Sequence, residues 1–257
     1  MSNIQTAFNN NKAFIGFVTG GDPSLESSFE IILKMIEKGV DIIEIGIPFS
    51  DPVAEGPIIQ KADLRALNAG ITLTKIFELT QKVRQVSNVP IVYLTYYNPV
   101  FCYGSQQFIE KCKEIHVDGI IIPDLPAEER DEILPYCKNA GVDLLCLVAP
   151  TSFDRIPKIV KDATGYIYLV SSMGVTGVRI YIKTNLKKLI DEVRLHTNTP
   201  IAVGFGINTP EQAKALSQDA DGIIIGSAIV SLIEQFGEYS PAHIGEYVAS
   251  IKSALNS

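Results

Sequence analysis

The segment "EIGIPFSDPVAEGPIIQ" carries two carboxylates in contrasting settings: Glu44 inside the apolar run "DIIEIG", and Glu55 in a proline-bearing loop downstream. A carboxylate within an apolar strand is desolvated, which raises its pKa and costs free energy unless the group is paired or has a task. Side chains alternate along a strand, so Glu44 shares a face with Ile42 and Gly46, close to the strand's C-terminal end. Two roles fit that position: a proton donor or acceptor with an elevated pKa, or one half of a buried structural ion pair. Glu55 and Asp51 lie where a solvated acid is the ordinary expectation. The length of their loop, with Pro48, Pro52 and Pro57, raises the other reading, a shaped lid able to bring a second acid toward the first.

Other chemistry is poorly supplied. His116, His196 and His243 stand far apart in the chain, and Cys102, Cys112, Cys137 and Cys146 show no CxxC spacing. Neither a metal site nor a disulfide framework is expected; the thiols read as reduced space-fillers, and acid-base work falls to the carboxylates.

Two later stretches suggest an anion grip. In "VGFGINTPEQ", Gly204 and Gly206 follow a strand-like run, after which Thr209 reads as a helix cap, Pro210 as the first helical residue and Gln212 as the partner that closes a capping box. "IIIGSAIV" repeats the arrangement, with Gly226 and Ser227 at the start of a short helix. Either glycine loop alone could merely permit a tight turn. Two together, each presenting backbone amides at a helix N-terminus, point to phosphate. "SSMGVTGVR", Ser171 to Arg179, has the small residues of a loop that moves over a ligand, or of a passive linker. "TYYNP" places Tyr96 and Asn98 at a strand end, where they could bind an aromatic or hydroxylated ligand; a satisfied core tyrosine is the alternative.

The elements that must position these residues alternate. Eight β-rich runs recur: "FIGFV", "DIIEIG", "PIVYLTYY", "GIIIP", "DLLCLVA", "YIYLVS", "PIAVGFGI" and "DGIIIGSAIV". Between them lie amphipathic stretches such as "SLESSFEIILKMIEKG" and "TLTKIFELTQKVRQV", whose apolar residues return every third or fourth position. Eight βα units with near-continuous apolar strands imply a parallel sheet closed into a (β/α)8 TIM barrel, with an open doubly wound sheet as the alternative. An additional helix is expected from about Pro57 to Asn68. Nothing marks a domain boundary, so residues 1–257 read as one barrel domain.

Composition narrows the partners. The chain has 257 residues, 46% hydrophobic and 20% charged, with a net charge of -7. That balance suits a large core and argues against nucleic acid or an anionic membrane as the main partner. The start, "MSNIQTAFNNNKAF", lacks the pattern of a signal peptide, and no apolar run reaches the length of a bilayer span, so a cytoplasmic location is expected.

Taken together, "FVTGGDP", "EIGIPFSDPVAEGPIIQKADLRAL", "TYYNPVFCYG", "IIPDLP", "GVTGVR", "VGFGI" and "DGIIIGSAIV" resemble the alpha chain of tryptophan synthase, from residue 17 to 230. That family is a (β/α)8 barrel that cleaves indole-3-glycerol phosphate by a retro-aldol reaction to indole and glyceraldehyde 3-phosphate. The resemblance implies that Glu44 protonates indole C3. It gives Glu55 the place of an aspartate that accepts the indole N–H and stabilises positive charge on the ring. The phosphate would rest on Gly177, Gly206, Gly226 and Ser227, with Gly204 and Phe205 nearby. Phe17, Leu94, Tyr96 and Tyr168 would line the indole pocket or its polar edge, and Thr176 would close over the second acid.

Two departures stand out: Glu55 is longer than the aspartate by one methylene, and Ser172-Met173 replaces an arginine common in the family. The resemblance also implies a beta chain as partner, two alpha with two beta chains, with loops at Asp51 to Gly56 and "TYYNP" facing it. Pyridoxal phosphate would belong to that partner, with no cofactor or metal on this chain. Two other readings remain at this point: a weakly active regulatory subunit of the same complex, and a free-standing lyase that releases indole.

Overall fold

The computed structural model describes residues 3–9, 11–170, 179–204 and 206–257. Among them are nine parallel strands: β1 (Ala13–Thr19), β2 (Ile42–Gly46), β3 (Ile91–Leu94), β4 (Gly119–Ile121), β5 (Asp143–Leu144), β6 (Cys146–Val148), β7 (Ile167–Val170), β8 (Ile201–Gly204) and β9 (Gly222–Ile225). Their order is β5-β4-β3-β2-β1-β9-β8-β7-β6. The two ends of that order, β5 and β6, are halves of the single run "DLLCLVA", interrupted at Leu145. β5 pairs with β4 and β6 pairs with β7, so one physical strand changes partner and carries the sheet round into a ring. The eight runs read from the sequence are therefore the eight staves of a (β/α)8 barrel.

Period-two alternation divides the side chains between two cores. Ile15, Ile42, Val92, Ile121, Leu145, Tyr166, Ala202 and Ile224 fill the barrel interior, and Ile4 from the short N-terminal helix Asn3–Thr6 joins them. The alternate positions, Ile43, Ile45, Ile91, Ile120 and Ile223 among them, pack against the surrounding helices. Glu44 lies on the interior set, which settles the face it occupies.

The helices start where their sequences cap them. Ser24 accepts a hydrogen bond from Ser27 N at the head of Leu25–Glu37, and Thr72 caps Leu73–Arg84. Ile31, Ile32 and Met35 of the first of these helices are buried. A Cβ placed on Gly16 would stand 2.4 Å from Met35 Cε, so this helix sits directly on the backbone of β1. The helix Pro57–Asn68 begins with proline at its first turn and fills the expected place after β2.

One ion pair ties this extra helix to the first loop. Arg65 donates to both oxygens of Asp22, at 2.8 Å each, and Asp22 has no solvent exposure. Removing the cation leaves an uncompensated buried carboxylate. Arg65→Met is expected to lower stability by about 3 kcal/mol, read as a lower urea midpoint at pH 7; an unchanged midpoint would contradict the pairing.

Candidate active site

Glu44 sits on β2 directly across from Phe17 on β1, both facing the interior. Glu44 is 1% exposed. Tyr166 Oη donates to Glu44 Oε1 at 2.5 Å, and Oε2 has no partner among the described residues. Burial pushes the Glu44 pKa up to about 8, against the pull of the Tyr166 hydrogen bond and with a further push from the charge of Glu55. Near neutrality the group holds its proton and leaves one oxygen unengaged, the state a proton donor needs. No cation within 4 Å of Glu44 makes it part of an ion pair among the described residues. Among the described residues Glu44 is therefore held by one hydrogen bond, from Tyr166.

Glu55 arrives from the loop between β2 and the helix Pro57–Asn68. The loop is pinned on both sides of it: Ala54 N donates to Tyr96 Oη at 2.9 Å, Glu55 N to Pro52 O at 3.1 Å, and Gln60 Nε2 to Glu55 O at 2.9 Å. Phe49 stacks on Tyr96, ring centroids 5.2 Å apart, and anchors the loop's first half. Glu55 is half-buried. Desolvation raises its pKa to about 7, with the Tyr96 hydroxyl working in the opposite direction. Glu44 is fully buried and Glu55 half-buried, so desolvation holds the proton more firmly on Glu44 and leaves Glu55 the readier of the two to ionise.

The two acids line one cavity of about 80 Å3. Phe17, Leu94 and Tyr168 give it apolar walls, and Gly206, Gly226 and Ser227 line it too, with Gly226 lying against the Phe17 ring. The glycines have mechanical reasons. A Cβ on Gly46 would come within 2.6 Å of Phe17 Cζ, so the absence of a side chain makes room for that ring. Gly206 has φ 74, in the left-handed region that favours glycine. Ser227 opens the helix Ser227–Phe236 with Gly226 at its cap, so helix amides face the cavity end. The capping box at Thr209 and Gln212 forms as its sequence implies.

Two of the expected residues sit slightly apart from the cavity. Tyr96 is 2% exposed and acts through its hydroxyl on the Glu55 loop, while Gly204 lies under Tyr168, where a Cβ would stand 2.6 Å from Tyr168 Oη. Thr176, Gly177 and Phe205, with Ser172 and Met173, lie outside the described residues.

Comparison with known proteins decides what this arrangement belongs to. The family model described as "Tryptophan synthase alpha chain" matches residues 4–254. The chain belongs to the tryptophan synthase alpha chain family. It is 46% identical to the tryptophan synthase alpha chain of Lacticaseibacillus casei over 100% of this chain and 96% of that one. It is 51% identical to that of Methanocaldococcus jannaschii over 87% of this chain and 80% of the relative. Among solved structures, tryptophan synthase subunit alpha from Legionella pneumophila str. Paris superposes with a TM-score of 0.91 at 31% identity, covering 100% and 99% of the two chains. A chain from the tryptophan synthase a2b2 complex of Pyrococcus furiosus superposes at 0.88 with 33% identity over 95% and 98%.

Three participants escaped the reading of residues alone. Tyr166 holds Glu44; the signal was the pair Tyr166 and Tyr168 at a strand spacing of two, which puts both on one face. Ile59 lines the cavity from the buried face of the helix Pro57–Asn68. On the same face Asp63, 5% exposed, is raised to about 8 by burial and then by the charges of Glu55 and Asp22. Thr19 Oγ1 lies in this acidic corner without a hydrogen bond of normal geometry among the described residues.

Proposed function

We propose that this chain acts as the alpha subunit of tryptophan synthase, a lyase that cleaves indole-3-glycerol phosphate to indole and glyceraldehyde 3-phosphate, with Glu44 and Glu55 as its catalytic residues. The observation that carries the residue assignment is one buried, proton-bearing glutamate and a second carboxylate lining the same cavity, which residues of two glycine loops also line.

Indole C3 is a poor leaving group until it is protonated. Glu44 delivers that proton, and the positive charge that develops on the ring is drawn to the nitrogen, where the Glu55 carboxylate accepts the N–H and stabilises it. The bond between C3 and the side-chain carbon then breaks, and its electron pair restores the aromatic ring. The hydroxyl on that carbon becomes the aldehyde and releases a proton, which the Glu44 carboxylate left by the first step takes up. Proton count and enzyme state both close. Phe17, Leu94 and Tyr168 supply the apolar walls for the ring, with Tyr96 holding the loop at its polar edge. Gly206, Gly226 and Ser227, with Gly177, Gly204 and Phe205, hold the phosphate, and Thr176 closes over Glu55.

These steps need no cofactor on this chain. Its likeness to a chain of the Pyrococcus furiosus a2b2 complex supports a beta chain as partner, in a two-alpha, two-beta assembly with pyridoxal phosphate on the beta side. Residues 1–257 act as one barrel domain in the cytoplasm; no helix among the described residues is long and apolar enough to cross a membrane. Indole release measured with the chain alone and then with its beta chain tests this reading: strong stimulation is expected, and no cleavage in either condition would overturn it.

Tyr166→Phe probes the acid itself. Its hydroxyl holds the Glu44 pKa down, so its removal is expected to shift the alkaline limb of kcat/KM to higher pH with the acid limb unmoved. A shift to lower pH would contradict the assignment.

A further inference from the structure

The floor of the barrel, at the N-terminal ends of the strands, is packed by the start of the chain. Ile4, in the short helix Asn3–Thr6, has no solvent exposure and belongs to the interior core; Ala7 and Phe8 pack against the same core. Two glycines make room for this plug. A Cβ on Gly119, the first residue of β4, would stand 2.8 Å from Ile4 Cδ1, and a Cβ on Gly222, the first residue of β9, would stand 3.0 Å from Phe8 Cε1. The plug thus rests on bare backbone at two points of the ring.

Phe8 is the part of the plug that meets the chemistry. Its ring lies against that of Tyr166, with centroids 5.9 Å apart and planes tilted by 46°, inside the roughly 4.5–7 Å over which aromatic rings attract. Tyr166 immediately precedes β7, has no solvent exposure, and gives Glu44 Oε1 its hydrogen bond at 2.5 Å. A phenol ring pivots about its Cα–Cβ and Cβ–Cγ bonds, so whatever abuts the ring decides where the hydroxyl stands. The groups that bear on Glu44 by charge or hydrogen bond are Tyr166 and Tyr168, from the β7 segment, and Glu55, from the loop after β2. Phe8 adds no charge and no hydrogen bond to that set; it meets the set at the Tyr166 ring.

We propose that Phe8 is a positioning residue for the proton donor: seated on Gly222, it fixes the Tyr166 ring so that the hydroxyl stays on Glu44 Oε1 and leaves Oε2 as the unengaged oxygen. The inference rests on the lyase reading above. It makes the first residues of the chain, at the closed end of the barrel, part of what sets the acid at the open end.

The experiment is the pH profile of kcat/KM for indole-3-glycerol phosphate, measured on the full chain with its beta chain, in the parent, Phe8→Ala, Phe8→Leu, Tyr166→Phe and the double variant Phe8→Ala/Tyr166→Phe. Phe8→Ala frees the ring and weakens the hydrogen bond that holds the Glu44 pKa down. Its alkaline limb is expected to move to higher pH by about half a unit, the scale of one aromatic contact, and kcat to fall about threefold to tenfold with KM within about twofold. Phe8→Leu restores most of the lost volume and is expected to show a smaller shift in the same direction. In the Tyr166→Phe background, Phe8→Ala should move the limb no further, because no hydroxyl is left to place. A merely structural role would not produce that non-additivity. An unmoved limb in Phe8→Ala, a shift to lower pH that would show water reaching Glu44, or a full shift that persists in the Tyr166→Phe background would each overturn the positioning role. Should Phe8→Ala fail to fold, Phe8→Leu alone and combined with Tyr166→Phe gives the same comparison. No cleavage by the parent at any pH would overturn the lyase reading beneath it.

Discussion

Glu44→Gln is expected to lower kcat for indole-3-glycerol phosphate cleavage by about a thousandfold or more, the scale of a lost general acid in a step with no substitute donor. The amide keeps the shape of the carboxyl and can still accept from Tyr166, so binding of the phosphate substrate should be nearly intact. A loss of binding instead would return Glu44 to a structural role. The same substitution should make the fold more resistant to alkali. Glu44 has a folded pKa of about 8 against the ordinary 4.5 of a glutamate, so the parent's stability falls as pH rises from the unfolded value through the folded one. Glutamine does not ionise. The thermal midpoint of Glu44→Gln should therefore exceed the parent's by a margin that grows between those two pH values, and a margin independent of pH would contradict the burial argument.

Glu55 carries the second large effect. Glu55→Gln removes the charge that faces the developing cation and is expected to cost about a hundredfold to a thousandfold in kcat. Glu55→Asp is expected to preserve or raise turnover, because it keeps the charge and restores the side-chain length of the family's aspartate. The loop backbone is held at Ala54 and at both the N–H and the carbonyl of Glu55, so the reach of the carboxylate is set by the side chain. A displacement of about an ångström can matter where geometry sets the rate. A large fall for Glu55→Asp would show that the loop has adapted to the longer acid.

Much of this architecture was legible in the order of residues because it depends on periodicity and on backbone chemistry. The eight apolar runs, the capping box at Thr209 and the helix Pro57–Asn68 all form where pattern and turn residues put them. The interruption at Leu145 was not legible, since a strand's change of partner leaves its apolar run continuous. Glu44 announced itself by being an acid in an apolar strand. Glu55 was marked only by the length and prolines of its loop, because its burial comes from the fold of that loop against Tyr96, and local sequence says nothing of that contact. Tyr166 and Asp63 were hidden for a related reason: each looks like an ordinary member of an amphipathic pattern until the fold brings it to an acid.

The central claim is that the two carboxylates work in opposite protonation states. The pair titrates as a unit, and the active form has Glu55 ionised and Glu44 protonated. Activity should be lost as pH falls through about 7, when Glu55 gains a proton, and lost again as pH rises through about 8, when Glu44 gives its proton up. The decisive measurement is kcat/KM for indole-3-glycerol phosphate across this range in the parent and in Glu55→Gln. A narrow bell for the parent, with the acid limb gone from the residual activity of Glu55→Gln, is the expected result. An acid limb that persists unchanged in Glu55→Gln, or a parent profile flat through both values, would contradict the account.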